Sequence, residues 1–446
     1  MSATLHPQPS AARIGQVLNV ALFVSLLTLG GIYSLLAPKQ TVSEKENRTL
    51  AAFPVYSDSL FWKGDYFRAI ELYYADHFPG RDRWMEFSSF FRSRIGFQSS
   101  EITYYDPGPI GGSESAPDTL PKTDDTYRSD DGATGEVKKG VFVFKNRAFE
   151  RFGGGPAIGK QYASVVNGFT KLGISPLQVY NLIIPVALEF EITEKYSNLQ
   201  KPNRPAIENI YNTLDPSVKK VWAIDELRKH RDEYIYFNTD HHWTSLGAYY
   251  AYRAFCSTAG FTPVSLDTIP ARVKPGFLGS LYRLTRDPSL KNNPDSVRYF
   301  LFRDSLRFYS GYGTQTTNWI KSKMYAEGVK EGNSYSVFLQ GDLPVVKIES
   351  LQKNGRRIAL IKESYGNAFA PFLINHYEKV IVVDQRYYTG DFAALLKQEG
   401  INELLVINNI FAAHTPFHID KIKGLQHPKM QKSTPSEKSK RNDPRP

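Results

Sequence analysis

From Gly140 onward the chain switches between two hydrophobic periods. Gly140 to Phe152 alternates apolar and polar positions around Lys145-Asn146, which predicts a β-hairpin. Beyond it, helix and strand patterns take turns. Helical spacing predicts helices over Lys160–Leu172, Arg204–Leu214 and Ser245–Ala259, the last with Thr244 or Ser245 as N-cap. Leu177–Pro185 reads as a buried strand, and Val218–Ile224 is strand-like. Three more strands follow: Arg357–Lys362, Lys379–Asp384 and Glu403–Asn408. Helices over Tyr365–His376 and Asp391–Glu399 separate them. Such alternation predicts an α/β fold with a parallel sheet flanked by helices. Ligand sites in that architecture lie at the carboxyl ends of the strands.

The same pattern divides the rest of the chain. Residues 14–37, Ile14 to Ala37, carry no charge and are long enough to cross a bilayer as one transmembrane helix. Leu35 occupies a position where a cleavage site requires a small residue, and Pro38 follows Ala37, so the segment reads as an uncleaved signal anchor. Residues 1–13 would form a short cytoplasmic segment, giving a single-pass membrane protein with its main domain outside the cytoplasm. Residues 38–105 read as a helical neck. Phe61, Trp62, Tyr66, Ile70 and Tyr73 recur at roughly helical spacing, and a second helix is predicted from Trp84 to Ile95. His77, between them, reads as a local hydrogen-bonding residue. Residues 106–138 are rich in Pro, Gly, Ser and Asp and predict a flexible linker. Residues 139–420 make the α/β domain. Within it, 270–349 is a long polar loop insertion that reads equally as a lid, a sugar-binding wall or surface decoration.

Charge changes the picture only at the end. The formal net charge is +10, but residues 421–446 hold eight lysines and arginines against Glu437 and Asp443, so six of the ten positive charges sit there. With its prolines and serines this stretch predicts a disordered basic tail, either solubilising or drawn to anionic polymer or lipid. No nucleic-acid-binding motif accompanies it, and a nucleic-acid partner is not expected. The single cysteine, Cys256, excludes an intrachain disulfide and falls on an apolar helix face as a small buried hydrophobe.

The chemistry concentrates in Asp240-His241-His242-Trp243. In extended chain, residues two apart point to one side, so Asp240 can hold the His242 Nδ1–H and leave Nε2 as a base. Three consecutive ligand-type residues do not converge on one ion without distortion, so no metal is expected. A base needs a nucleophile, and the strand-end rule selects Ser364, at the turn after the Arg357–Lys362 strand. Backbone N–H groups there can also serve an oxyanion. The competing role for Ser364 is a helix N-cap. Arg386, after another strand, would hold an anion or a sugar hydroxyl, or else close its loop as a salt bridge. Asn408 would donate an amide N–H to the oxyanion, or else sit in a turn.

Together these motifs resemble the DHHW family of membrane-anchored bacterial proteins, relatives of the alginate O-acetyltransferases in the SGNH-hydrolase-like group. The resemblance rests on Glu46-Asn47-Arg48, His77-Phe78-Pro79-Gly80-Arg81, Asp240 to Thr244 with Gly247-Ala248-Tyr249, Glu363-Ser364-Tyr365-Gly366-Asn367, and Asp384-Gln385-Arg386-Tyr387-Tyr388. It implies a permuted SGNH, flavodoxin-like order in which the Asp–His pair precedes the serine. Ser364 would be the nucleophile, His242 its base and Asp240 the orienting acid. Tyr365 and Asn367 would join Asn408 and Arg386 as oxyanion or substrate-binding residues. Glu363 departs from the Asp expected before the serine. The implied activity is transfer or hydrolysis of acetyl groups on an exported polysaccharide, without a cofactor, beside a membrane-bound O-acyltransferase partner. The alternative is a non-catalytic glycan-binding or assembly subunit.

Overall fold

In the computed structural model the described residues are 11–37, 39, 42–43, 48–92, 102–105, 126–128, 134–136, 140–191, 201–302, 307–311 and 319–427. Most of the expected linker (106–138), and the basic tail from residue 428, lie outside them. Lys421 and Lys423 belong to a helix, Pro416–Gly424, so the first residues of the expected tail are helical.

An eight-stranded sheet organises the domain. Its strands, numbered along the chain, are β1 (Gln178–Ile184), β2 (Lys219–Val221), β3 (Arg307–Gly311), β4 (Ile320–Ser322), β5 (Val345–Glu349), β6 (Arg357–Lys362), β7 (Lys379–Asp384) and β8 (Glu403–Asn409). The spatial order is β4-β3-β5-β7-β6-β8-β1-β2. The five strands β7, β6, β8, β1 and β2 pair in parallel. β5, β3 and β4 extend that sheet antiparallel from β7. The expected parallel sheet is therefore its centre, and a mixed sheet is the whole. The extra strands come from the 270–349 segment, whose polar sequence predicted only loop. Their pairing with β7 is non-local and leaves no local signature.

Both faces of the central strands are buried. On one face Ile358, Leu360, Val382, Leu405 and Ile407 pack with Ala251, Tyr252 and Phe255 of helix α2 (Ser245–Ala259). On the other, Ala359, Ile361, Val383, Leu404 and Val406 pack with Tyr162, Ala163 and Val166 of helix α1 (Pro156–Gly168). Alternate residues thus face opposite layers, and a strand buried on both sides must be apolar at nearly every position. Cys256 lies in the first layer, fully buried, where burial pushes its thiol up to about 12. It acts there as a small hydrophobe.

Local signals account for the remaining elements. The predicted hairpin forms from Val141–Phe144 and Arg147–Glu150, and Lys145 and Asn146 both take positive φ (49° and 58°), as a tight two-residue hairpin turn requires. Thr244 is the N-cap of α2; its hydroxyl accepts from Gly247 N–H at 3.3 Å. The helix expected over Tyr365–His376 is split into a short α segment, Gly366–Phe369, and a 3-10 segment, Ala370–Asn375. Pro371 lacks the N–H that would continue one ladder. Of the strand expected over Val218–Ile224 only Lys219–Val221 forms, because Ala223, Ile224 and Leu227 bury one face of a short helix. At the N-terminal end the helix Ala11–Leu36 contains Gly15–Ser34, long and apolar enough to cross a membrane. The neck is helical over Asp58–Trp62, Asp65–Asp76 and Arg81–Arg92, and His77 Nδ1 meets Tyr73 O at 2.9 Å.

Chain order determines where a crevice opens. From β6 the chain moves to β7 on one side, then crosses to β8 on the other. The direction of winding reverses at β6, and its carboxyl end is the topological switch point. Leu360, fully buried in β6, tests how much this strand contributes. Leu360→Ala is expected to lower stability by about 2–5 kcal/mol, read as a shift of the urea midpoint at unchanged slope. A change below about 1 kcal/mol contradicts a close-packed β6.

Candidate active site

Asp240, His241 and His242 occupy a tight loop that doubles back before α2. Phe237 N–H donates to His242 O at 3.2 Å and Thr244 N–H to Ile235 O at 2.9 Å, while Tyr236 and Trp243 form an isolated antiparallel bridge. Beneath the loop, the buried Asp295 carboxylate accepts from Asn238 N–H (2.8 Å), Thr239 N–H (2.7 Å) and the Thr239 hydroxyl (2.6 Å). Asp240 Oδ1 accepts the His242 backbone N–H at 3.0 Å and lies 2.5 Å from His242 Nδ1. The acid–imidazole pair is therefore made in an Asx-turn. This corrects the extended geometry expected from sequence: the partners are right and the backbone is not. Asp240 Oδ2 accepts Ser280 N–H at 2.7 Å, so both carboxylate oxygens are held. A Cβ on Gly279 would stand 2.2 Å from the Asp240 side chain, which is why that approach requires glycine.

Because Nδ1 faces a carboxylate it carries the hydrogen, and Nε2 is left as an acceptor. Ser364 Oγ lies 2.7 Å from that nitrogen, across 122 residues of sequence. The serine hydroxyl has a second acceptor in reach, Glu363 Oε2 at 3.3 Å. The His242 ring is stacked on Tyr335, at 3.9 Å between centroids and 10° from parallel, and also meets the tilted His241 ring at 3.8 Å. Burial alone would push the Asp240 carboxyl up. The charges of His242 and His241, with hydrogen bonds from His242 and Ser280, outweigh it and hold the group well below the usual carboxylate range.

Three further bonds tie the turn after β6 to this region. Trp243 Nε1–H donates to Tyr365 O at 3.0 Å, the Tyr365 hydroxyl donates to His241 O, and the Tyr335 hydroxyl donates to Ser364 O at 3.1 Å. Glu363 braces the turn from below: Oε2 accepts Tyr365 N–H at 3.0 Å and Oε1 accepts Asn409 N–H at 2.9 Å. A buried ionic cluster sits beside it. Asp384 accepts from Lys362 Nζ at 2.7 Å and from Arg386 Nε and Nη2 at 2.9 and 2.8 Å. Arg386 also reaches Asp342 at 3.0 Å, and Asn367 donates to Asp342 at 2.8 Å. Burial would raise the Asp384 carboxyl, but the adjacent Arg386 and Lys362 cations hold it far below its ordinary value.

The seven residues singled out by sequence thus fall into two groups. Asp240, His242 and Ser364 come together in bonding distance. The other four are bound into the framework. Arg386 is ion-paired to Asp384 and Asp342, the loop-closing arrangement that was one of its two expected roles. Asn408 is fully buried; its amide donates to Gln385 Oε1 at 3.0 Å and its oxygen accepts from Tyr162 at 3.0 Å. Side-chain alternation turns Asn408 toward the Tyr162 layer. Tyr365 is buried as a latch, and Asn367 braces Asp342. Sequence reading missed Gly279, Ser280, Asp295, Tyr335 and Asp342, all contributed by the 270–349 segment. Its Phe277-Leu-Gly-Ser-Leu-Tyr282 motif was the one signal available. Asp240, His241 and His242 also offer ligand atoms within 4.8 Å of one another, but both His242 nitrogens are already engaged.

A sequence model of a protein family described as "DHHW protein" matches residues 98–383. Among solved structures, that of a DHHW family protein from Eubacterium siraeum aligns at 32% identity over 64% of this chain and 94% of its own, with a TM-score of 0.57. Bacillus cereus PatB1 aligns at 18% identity over 62% of this chain and 98% of its own, with a TM-score of 0.53, a likeness of fold. The O-acetyltransferase domain of Pseudomonas putida AlgJ aligns at 12% identity over 64% of this chain and 98% of its own; its TM-score of 0.37 is too low to carry an argument. No curated protein matches the chain.

Asp240 and Asp384 are depressed in the folded chain, so the stability they confer is complete above the ordinary carboxylate value near ~4 and is lost as pH falls below it. Asp384→Asn is expected to cost about 3–5 kcal/mol at pH 7, because it leaves two buried cations short of a partner. It should also flatten the fall of melting temperature with pH below ~4. An unchanged slope contradicts the ionic role given to Asp384.

Proposed function

This chain belongs to the DHHW family, and from that premise we propose that it is a serine-dependent O-acetyltransferase or acetylesterase acting on an exported or cell-surface polysaccharide. The observation that carries the proposal is the 2.7 Å approach of Ser364 Oγ to a His242 ring whose other nitrogen meets Asp240. Ser364 Oγ attacks the acyl carbonyl as its proton passes to His242 Nε2. The leaving oxygen takes that proton, and an acetyl-serine remains. A sugar hydroxyl, or water, then gives its proton to His242 and bonds to the acetyl carbon; the Ser364 Oγ–acetyl bond breaks, and Oγ takes the proton back from His242 Nε2. Asp240 holds the ring in one tautomer and favours the transient imidazolium. Nothing in this sequence calls for a metal or an organic cofactor.

The N-terminal apolar helix would serve as the anchor, with the sheet domain outside the cytoplasm and a membrane-bound O-acyltransferase delivering acetyl groups to it. A second reading, a non-catalytic glycan-binding or assembly subunit, is favoured by a different observation. The N–H of Tyr365, next to Ser364 in the chain, already donates to Glu363 and is not free for an oxyanion.

Acetyl release from p-nitrophenyl acetate separates the two. Ser364→Ala is expected to lower kcat/KM by at least about a thousandfold with the melting temperature nearly unchanged, and His242→Gln to lower it comparably. A Ser364→Ala protein that keeps its rate contradicts the mechanism. Glycan retention by an unmutated chain with no turnover favours the second reading.

A further inference from the structure

His242 has a partner that neither the acid nor the nucleophile accounts for. We propose that Tyr335 is a positioning residue of this site: its ring is the platform on which the His242 imidazole accepts the serine proton, and its hydroxyl fixes the turn that carries Ser364. The inference rests on the reading of Ser364 and His242 as nucleophile and base.

Two contacts converge on this side chain. Its ring lies 3.9 Å from that of His242 and only 10° from parallel, and its hydroxyl donates to the Ser364 carbonyl at 3.1 Å. One residue therefore touches both halves of the pair, from a third segment of the chain. Burial holds the Tyr335 phenol well above its ordinary value, so it stays protonated and keeps its donor. The face of an aromatic ring is electron-rich, and a cation stacked on it is favoured over a neutral group. The imidazole becomes a cation when it takes the serine proton. The platform thus favours the charged intermediate over the resting state, which simple packing would not do.

The segment carrying Tyr335 is locked from below. Leu339 and Gln340 both hold left-handed backbone, at φ of 52° and 63°, unusual for non-glycine residues and for a leucine above all. Such strain persists only where the surroundings over-determine it. Here Leu339 is buried, the Gln340 amide donates to Lys323 O, and Asp342 is clamped by Arg386 and Asn367. The ionic cluster beside β6 thus holds Asp342, seven residues after Tyr335 on the same segment.

The titratable groups that face His242 are Asp240 and His241 on its own loop, Glu363 and Tyr365 on the turn after β6, and Tyr335. Only the last changes in the test. Hydrolysis of p-nitrophenyl acetate by the full chain is followed across pH for the unmutated protein, Ser364→Ala, Tyr335→Phe and Tyr335→Leu, with melting temperatures in parallel. Tyr335→Leu removes the platform. It should weaken proton binding by His242 about threefold, moving the acid limb of kcat/KM to lower pH, and should lower kcat more than it raises KM. Tyr335→Phe keeps the platform and loses the donor, so the acid limb stays in place while kcat falls severalfold. An acid limb that Tyr335→Leu leaves unmoved overturns the proposal, even if activity drops. If the unmutated protein shows no Ser364-dependent hydrolysis, the proposed function has failed instead. The His242 titration midpoint, read by NMR on histidine-labelled chain, then decides the point without turnover: a drop in Tyr335→Leu but not in Tyr335→Phe supports the platform, and an unmoved midpoint overturns it.

Discussion

One contact, between His242 Nε2 and Ser364 Oγ, sets what the rest of the fold must achieve. Its two sides are 122 residues apart, and a shift of about 1 Å would cost much of any catalytic advantage. The parallel sheet solves half of the problem. Its winding reverses at β6, and Ser364 stands just past the end of that strand. The loop before α2 solves the other half with short-range bonds: an Asx-turn, the Asp295 carboxylate beneath it, and the Trp243 and Tyr365 bonds that stitch the two sides together.

The electrostatics follow from burial. Asp240, Asp384, Lys362, Arg386 and Glu363 are all nearly inaccessible. A buried charge is tolerable only when opposite charge or hydrogen-bond donors surround it. Each of these groups has such partners, and the clusters meet at the end of β6. What reads in sequence as several polar strand ends is, in three dimensions, one reactive pair resting on a charged and hydrogen-bonded base.

The fold was largely legible because its signals are local. The central strands are apolar runs, two of them closing at Asp384 and Asn409, and α2 begins at its cap. The three chemically matched residues were legible too, since an acid two residues before a histidine and a serine at a strand-to-helix turn each have a physical reason to be there. Where the reading failed, the cause was non-local. The 270–349 segment looked like loop because β3, β4 and β5 gain their meaning only by pairing with β7. Arg386 and Asn408 were placed at the correct ends of strands. What surrounds a strand end decides the rest: Arg386 meets Asp384 two residues back and Asp342 from the 270–349 segment, and Asn408 meets Gln385 and Tyr162 from other elements. Tyr335 offered no sequence signal beyond being one tyrosine among many.

The central claim, that folding creates an activated serine at position 364, is tested most directly by covalent capture. The full chain is treated with phenylmethylsulfonyl fluoride and the modified peptide mapped by mass spectrometry, for the unmutated protein and for His242→Gln. The account predicts a single sulfonyl group on Ser364, formed at least about a hundredfold more slowly without the imidazole. Modification at other residues, or an equal rate in the His242→Gln protein, would contradict it.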